Sequence, residues 1–158
     1  MEMSSPADLR VSGYASLFGQ PDLSGDQVQR GAFAASLLKL PDGRLPMLFG
    51  HETDQPIGVW DRLLEDRSGL FVSGRVFSGS ARSERVRRWI AEGAVSGLSI
   101  GYRVRRKSQT SQGRLLLDLD LWEVSVVAFP MLRSARITQI DDVISQNPTS
   151  QRSLIRES

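Results

Sequence analysis

The sequence has no cysteine and a single histidine. The first absence excludes disulfides, thiolate nucleophiles and thiolate metal sites, and it suits a reducing compartment. The second makes a histidine-rich zinc site unattainable, so no metal and no cofactor is expected. Aromatic residues are sparse at 7%, and no apolar run approaches the roughly 18–20 residues that span a bilayer. The N-terminal Met1-Glu2-Met3-Ser4-Ser5-Pro6 lacks the charged-then-apolar pattern of a secretion signal. A formal net charge of +2 does not demand a nucleic-acid partner. No internal repeat is visible.

What remains is an ordinary globular composition: 158 residues, 40% hydrophobic and 24% charged, enough for one domain with a core. Residues 1–8 are polar and read as a flexible arm. Residues 9–140 carry the patterned elements and read as one domain. Residues 141–158, with Asn147-Pro148, read as a flexible tail.

The pattern is mainly β with flanking helices. Strands are expected at Leu9–Phe18, Leu45–His51, Ile57–Leu64, Leu70–Phe77, Val95–Arg106 and Arg114–Phe129. The third and fourth form a hairpin through Glu65–Gly69, and the last two form another through Ser108–Gly113. Helices are expected over Arg30–Leu40, which Pro41 ends, and over Ser80–Gly93. The latter has Ser80 as N-cap, a Val86, Trp89 and Ile90 stripe, and Gly93 as its stop. Arg82, Arg85, Arg87 and Arg88 lie off that stripe, as on a solvated face. Met131–Ile140 reads as irregular or as the start of a helix. Strands and helices do not alternate, which argues against a doubly wound sheet.

The stretch with chemical promise is Gly97-Leu98-Ser99-Ile100-Gly101. On a strand, Leu98, Ile100 and Tyr102 point one way, while Gly97, Ser99 and Gly101 point the other. Ser99 then stands on a face bare of neighbouring side chains, which suits a nucleophile. A serine needs a base, and the one imidazole is His51, in Phe49-Gly50-His51-Glu52. The plain alternative is a structural glycine pair and a structural histidine.

A serine–histidine pair also needs a group to orient the imidazole. Leu115, Leu117, Leu119, Leu121, Glu123, Ser125 and Val127 share one parity of the last long strand. Glu123 among those leucines must be paired, either with an arginine or with His51. Asp118 and Asp120, on the opposite parity, are the fallback, since a bulge would exchange the two faces. The order histidine, serine, carboxylate differs from that of an α/β-hydrolase, where Gly-x-Ser-x-Gly precedes the histidine.

These pieces together resemble a known family, the tailed-phage (HK97-type) prohead maturation serine proteases. The carrying residues are Gly13-Tyr14-Ala15 and Phe18, Asp26 with Gly31-Ala32-Phe33, and Leu48-Phe49-Gly50-His51-Glu52. Pro56-Ile57-Gly58, the run Gly93 to Tyr102, and Leu121-Trp122-Glu123-Val124-Ser125-Val126-Val127-Ala128-Phe129-Pro130 continue it. The match runs in order over about residues 9–138. After Pro130 the chain departs from the family's asparagine-rich continuation with Met131-Leu132-Arg133-Ser134-Ala135-Arg136.

The family is similar in fold to the herpesvirus assemblin proteases. The resemblance therefore implies an antiparallel β-barrel of about six or seven strands wrapped by helices. It implies a serine endopeptidase that cleaves scaffold and capsid-precursor segments during prohead maturation, inside the procapsid in the host cytoplasm. His51 becomes the base, Ser99 the nucleophile and Glu123 the third member. Arg133, Arg136 and Gly101 become candidates for oxyanion or substrate contacts. Self-cleavage and homo-oligomerisation are part of the same expectation, with no membrane and no specific nucleic acid. A catalytically inactive scaffold- or capsid-binding assembly module is the alternative, and intact His51, Ser99 and Glu123 argue against it. A nucleic-acid binder using Arg103 to Lys107 rests on charge alone and lacks aromatic residues for stacking.

Overall fold

The computed structural model describes residues 8–142. The expected arm lies outside the described residues except for Asp8, and the expected tail except for Asp141 and Asp142. Asp8 is tied down: its carboxylate accepts from Arg75 at 3.0 Å and from the Ser78 amide at 3.2 Å.

In chain order the elements are β1 (Leu9–Leu17), β2 (Gln27–Val28), α1 (Ala34–Leu38) and a 3-10 turn at Pro41–Gly43. They continue with β3 (Leu45–Phe49), β4 (Gly58–Glu65), β5 (Gly69–Val76), α2 (Ala81–Ala91), β6 (Gly97–Thr110), β7 (Gly113–Val127) and β8 (Ile137–Asp142). Both expected hairpins form, β4 with β5 and β6 with β7. In the first, Asp66 caps the turn by accepting from the Ser68 and Gly69 amides at 2.8 and 3.1 Å. α2 begins as expected, with Ser80 Oγ accepting from the Ser83 amide at 3.0 Å. It buries Val86 and Ile90 and ends before Gly93, whose φ is +78°.

Four expectations change. The Arg30–Leu40 helix shrinks to Ala34–Leu38, because the Gly31 and Phe33 amides are held by the Glu65 carboxylate at 2.8 and 3.0 Å. Met131–Ile140 is not the start of a helix: from Ile137 it is strand β8, paired antiparallel with β1 and running through Asp142. Two pairings are parallel rather than antiparallel, β2 and β3 each with β7. The fourth concerns the barrel. The eight strands form one sheet in the order β6-β7-β3-β4-β5-β1-β8, with β2 also on β7. This sheet does not close through a continuous ladder. Among the described residues one isolated bridge joins β6 to the residue just before β8, Gly97 to Arg136, flanked by Leu98 N–H to Ala135 O and Ile137 N–H to Ser96 O at 2.9 and 2.8 Å.

β8 follows β1 instead, where Gly13 lets the Arg136 backbone approach so closely that a Cβ would overlap its carbonyl. Past Gly13, β1 runs on without β8, and a seam is left facing β6. The sheet curls around a core in which Phe33, Met47, Trp60, Leu70, Leu98 and Val124 are fully buried. Trp60 spends its indole N–H on the Val124 carbonyl at 2.9 Å.

Candidate active site

β7 is the strand on which the site is built. β6 pairs with it along its whole length, so β2 and β3 must share its other edge. Ser99 of β6 therefore lies opposite Ser125, and Leu48 of β3 lies opposite the same residue on the far side. Three neighbouring strands thus bring Ser99, Ser125 and the end of β3 side by side.

His51 follows β3 in a tight turn. Glu52 N–H donates to Phe49 O at 3.2 Å, and Gly50 and His51 both have positive φ, 61° and 64°. That is the pattern of a primed turn, in which the glycine is free of strain and the histidine is not. Two hydrogen bonds anchor the turn to β7: Gly50 N–H to Val126 O and His51 N–H to Ser125 Oγ, each 3.0 Å. α2 buttresses it from outside. Arg82 pairs with Glu52 at 2.8 Å, and Trp89 lies against Phe49 with centroids 5.7 Å apart.

The imidazole is 45% exposed, and its Nδ1 meets Glu123 Oε2. A carboxylate facing Nδ1 selects the tautomer protonated there, which leaves Nε2 as an acceptor. The other carboxylate oxygen, Oε1, accepts from Ser125 Oγ–H at 2.7 Å.

Glu123 is not on the leucine face. β7 pairs Glu123 with Gly101 and Leu121 with Tyr102, so Trp122 is an extra residue, and it is 62% exposed. This bulge exchanges the two faces. Leu119 and Leu121 point to the core before it, and Val124 and Val126 after it. Glu123 and Ser125 emerge instead on the side of Ser99. The glycine beside them has a concrete purpose: a Cβ on Gly101 would overlap Glu123 Oε2 and lie 2.7 and 2.8 Å from its Cδ and Cγ. The Glu123 side chain lies across Gly101. Gly97 likewise makes room for Pro130.

Of the two partners considered for Glu123, the structure therefore has the imidazole and the Ser125 hydroxyl rather than an arginine. Asp118 and Asp120 stand elsewhere. Asp120 accepts from Arg103 and Arg105 at 3.1 and 3.3 Å, and Asp118 is 3.7 Å from Arg105. Ser99 is 8% exposed, and among the described residues no hydrogen bond joins its Oγ to His51. The two are connected through the ladder, by way of Ser125. Because Leu98 turns its N–H to Ala135, backbone alternation turns the Gly101 amide toward β7. Arg136 uses its guanidinium on its own loop and on the residue before β6, donating to Arg133 O at 2.9 Å and to Ser96 Oγ at 3.1 Å, while Arg133 is exposed. Ser125 is the site residue that sequence reasoning passed over. Its signal was its position two residues after Glu123, on the same face of the strand.

A pocket of about 260 Å³ opens beside Ser99. Consecutive residues of both strands line it, Ala15 to Leu17 and Leu98 to Ile100, so it lies edge-on in the seam between β1 and β6. Met131 and Leu132 border it, as do Tyr102, Asp26 and Arg114. Arg114 grips Asp26 with two hydrogen bonds, Nε to Oδ1 at 2.9 Å and Nη2 to Oδ2 at 2.5 Å, which hold that carboxyl below its usual range. Burial, with the nearby Asp26 and Asp22, pushes the Tyr102 hydroxyl up. Among the described residues no group of three or more metal-ligating side chains is present, and no helix is long and apolar enough to cross a membrane.

A family model for Caudovirus prohead serine proteases matches residues 1–149. The chain is 34% identical over 135 residues to the prohead protease of Enterobacteria phage HK97, covering 83% of this chain and 60% of that relative. The chain thus spans about three-fifths of the curated relative's length. Among solved structures it is similar to the Kaposi's sarcoma herpesvirus protease in complex with a hexapeptide phosphonate inhibitor. That match has a TM-score of 0.62 at 19% identity, covering 95% of this chain and 75% of the other. It is also similar to the capsid assembly protease of bacteriophage T4, with a TM-score of 0.62 at 13% identity, covering 76% and 81%. At these identities the two structures speak for the fold, which is assemblin-like.

Proposed function

Because the chain belongs to the Caudovirus prohead serine protease family, we propose that it is a serine endopeptidase of capsid maturation, cutting scaffold and capsid-precursor segments inside the procapsid in the host cytoplasm. Residues 9–140 would be the protease domain. The observation that carries this reading is the contact of His51 Nδ1 with Glu123, made one strand pairing away from Ser99.

The chemistry follows from that contact. Glu123 accepts the Nδ1–H and stabilises the imidazolium that forms at His51. Nε2 takes the Ser99 Oγ proton as the hydroxyl attacks the scissile carbonyl, then passes it to the leaving amine. Water hydrolyses the acyl-enzyme by the same relay in reverse. The bond from Ser99 Oγ to Nε2, absent among the described residues, would form as substrate seats, since catalytic hydrogen bonds are often long or poorly aligned without a ligand. The oxyanion needs donors, and we place them in the backbone of the 131–136 segment, which crosses β6 at Gly97 and Leu98. The pocket in the β1–β6 seam receives a substrate side chain next to the scissile bond; its walls of Leu17, Leu98, Ile100 and Leu132 suit an apolar one.

A fluorophosphonate probe tests the assignment, together with cleavage of a co-expressed capsid precursor. The wild-type chain should be labelled at Ser99 and should cleave the precursor. Ser99→Ala should do neither while keeping the wild-type Tm, since a small side chain on a glycine-flanked face removes little packing. Cleavage by Ser99→Ala would leave the proposal without its nucleophile.

A further inference from the structure

Ser125 is fully buried, yet it lies between Val124 and Val126 of the core strand with a hydroxyl to satisfy. It satisfies both of its hydrogen-bonding senses at once. Its Oγ–H donates to Glu123 Oε1 at 2.7 Å, and its oxygen accepts from His51 N–H at 3.0 Å. A carboxylate can only accept and an amide N–H can only donate, so this hydroxyl has a single setting.

We propose that Ser125 is a positioning residue for the His51–Glu123 pair, a role that rests on the protease reading above. Two effects combine. A glutamate's last torsion is broad, so a carboxylate held by one oxygen swings. Ser125 takes Oε1 and leaves Oε2 facing Nδ1. The main chain of His51 is in the left-handed region, at φ 64°, and its N–H is fastened to the same hydroxyl. One oxygen atom therefore fixes both partners, the acceptor through its carboxylate and the imidazole through its backbone. The residue is also the cross-strand partner of Ser99, so the position of the pair is set relative to β6 at the same point. Full burial keeps Ser125 from attacking substrate itself.

The test compares wild type, Ser125→Ala, Ser125→Cys and Glu123→Gln on one peptide substrate. It adds NMR of protein labelled with ¹⁵N-histidine, where His51 supplies the one imidazole signal. Ser125→Ala should lower kcat about 10- to 100-fold, on the scale of losing a partner that orients a ligating histidine. KM should stay within about twofold, since substrate does not touch Ser125. The downfield Nδ1–H resonance should broaden or vanish while the rest of the spectrum stays folded. Ser125→Cys keeps the volume and loses the good donor, so it should show the same pattern, and it decides the matter should the alanine variant fail to fold. Wild-type kcat and an intact Nδ1–H resonance in a folded Ser125→Cys protein would overturn the positioning role. If Glu123→Gln loses activity beside that result, the protease reading stands without it. If Glu123→Gln also retains wild-type kcat, the orienting role of Glu123 falls with it, whereas a wild-type chain that does not turn the peptide over would sink the protease reading itself.

Discussion

Replacing Gly101 with alanine should displace Glu123 while leaving every member of the site in the chain. The added Cβ would overlap Glu123 Oε2 and lie 2.7 and 2.8 Å from Cδ and Cγ. Ordinary carbon–carbon contact begins near 3.5 Å, so the carboxylate must withdraw by about 0.7 Å or more. It can do so by swinging outward, away from His51 and Ser125. A displacement of about 1 Å in a positioned catalytic group is worth roughly 100-fold in rate. The fold should tolerate the change. Gly101 has no positive φ, so alanine there gains about 0.4–1 kcal/mol from a stiffer unfolded chain. The lost charge-assisted hydrogen bond removes about 1.5–3 kcal/mol. A net loss of about 1–2 kcal/mol corresponds to a Tm lower by about 2–8 °C for a chain of this length. Gly97→Ala is the control. Its Cβ would meet the Val127 carbonyl and Pro130 Cδ, each at 2.7 Å, and backbone cannot swing away, so stability should fall further there. The assay is kcat at saturating peptide per folded molecule, beside thermal melting. Near wild-type kcat in a folded Gly101→Ala protein would refute the claim that Glu123 orients the base.

Three other outcomes are expected. Glu123→Gln should lower kcat by about 100-fold or more, by analogy with the Asp-to-Asn change in the serine-protease template. Asp118→Asn and Asp120→Asn should stay near wild type, because those carboxylates face Arg103 and Arg105; steady-state kinetics on the three decides. Asp26 is held below its ordinary value by Arg114, so its contribution to stability is present above the unfolded carboxylate value near pH 3.9 and is lost as pH falls through the folded value. Urea unfolding should therefore show a gap between wild type and Asp26→Asn that is constant from neutral to about pH 5 and narrows as pH falls below the unfolded carboxylate value. Leu17→Trp, which narrows the seam pocket, should raise KM for peptides with little change in kcat; an unchanged KM would place substrate elsewhere.

Much of this was written in local pattern. The glycine-flanked Ser99, the lone His51 after an apolar run and the Ser80-capped helix needed only short-range rules. The two hairpins announced themselves through turn residues. What short-range rules missed was set by pairing. Parity placed Glu123 among leucines, and only the register against β6, with Trp122 left over, puts it on the other face. β8 carries no strong alternation of its own and exists because β1 offers an edge. β2 is two residues long and owes its place to β7. The unclosed seam depends on where β8 leaves β6, which no window of sequence contains. Ser125 was visible as a polar residue in an apolar strand, but its two partners come from β7 itself and from a turn 74 positions earlier in the chain.

β7 is flanked along its length by β6 on one edge and by β2 and β3 on the other, and its middle carries the hydroxyl to which the His51 turn is tied. Amide protons at Val124 and Val126 should then exchange only when the whole sheet opens. Partial melting has no route to the site that spares the core. Activity and global structure should disappear at the same urea concentration, and a protease nicking at the tip between Thr110 and Gly113, at the far end of both strands, should leave peptide turnover intact.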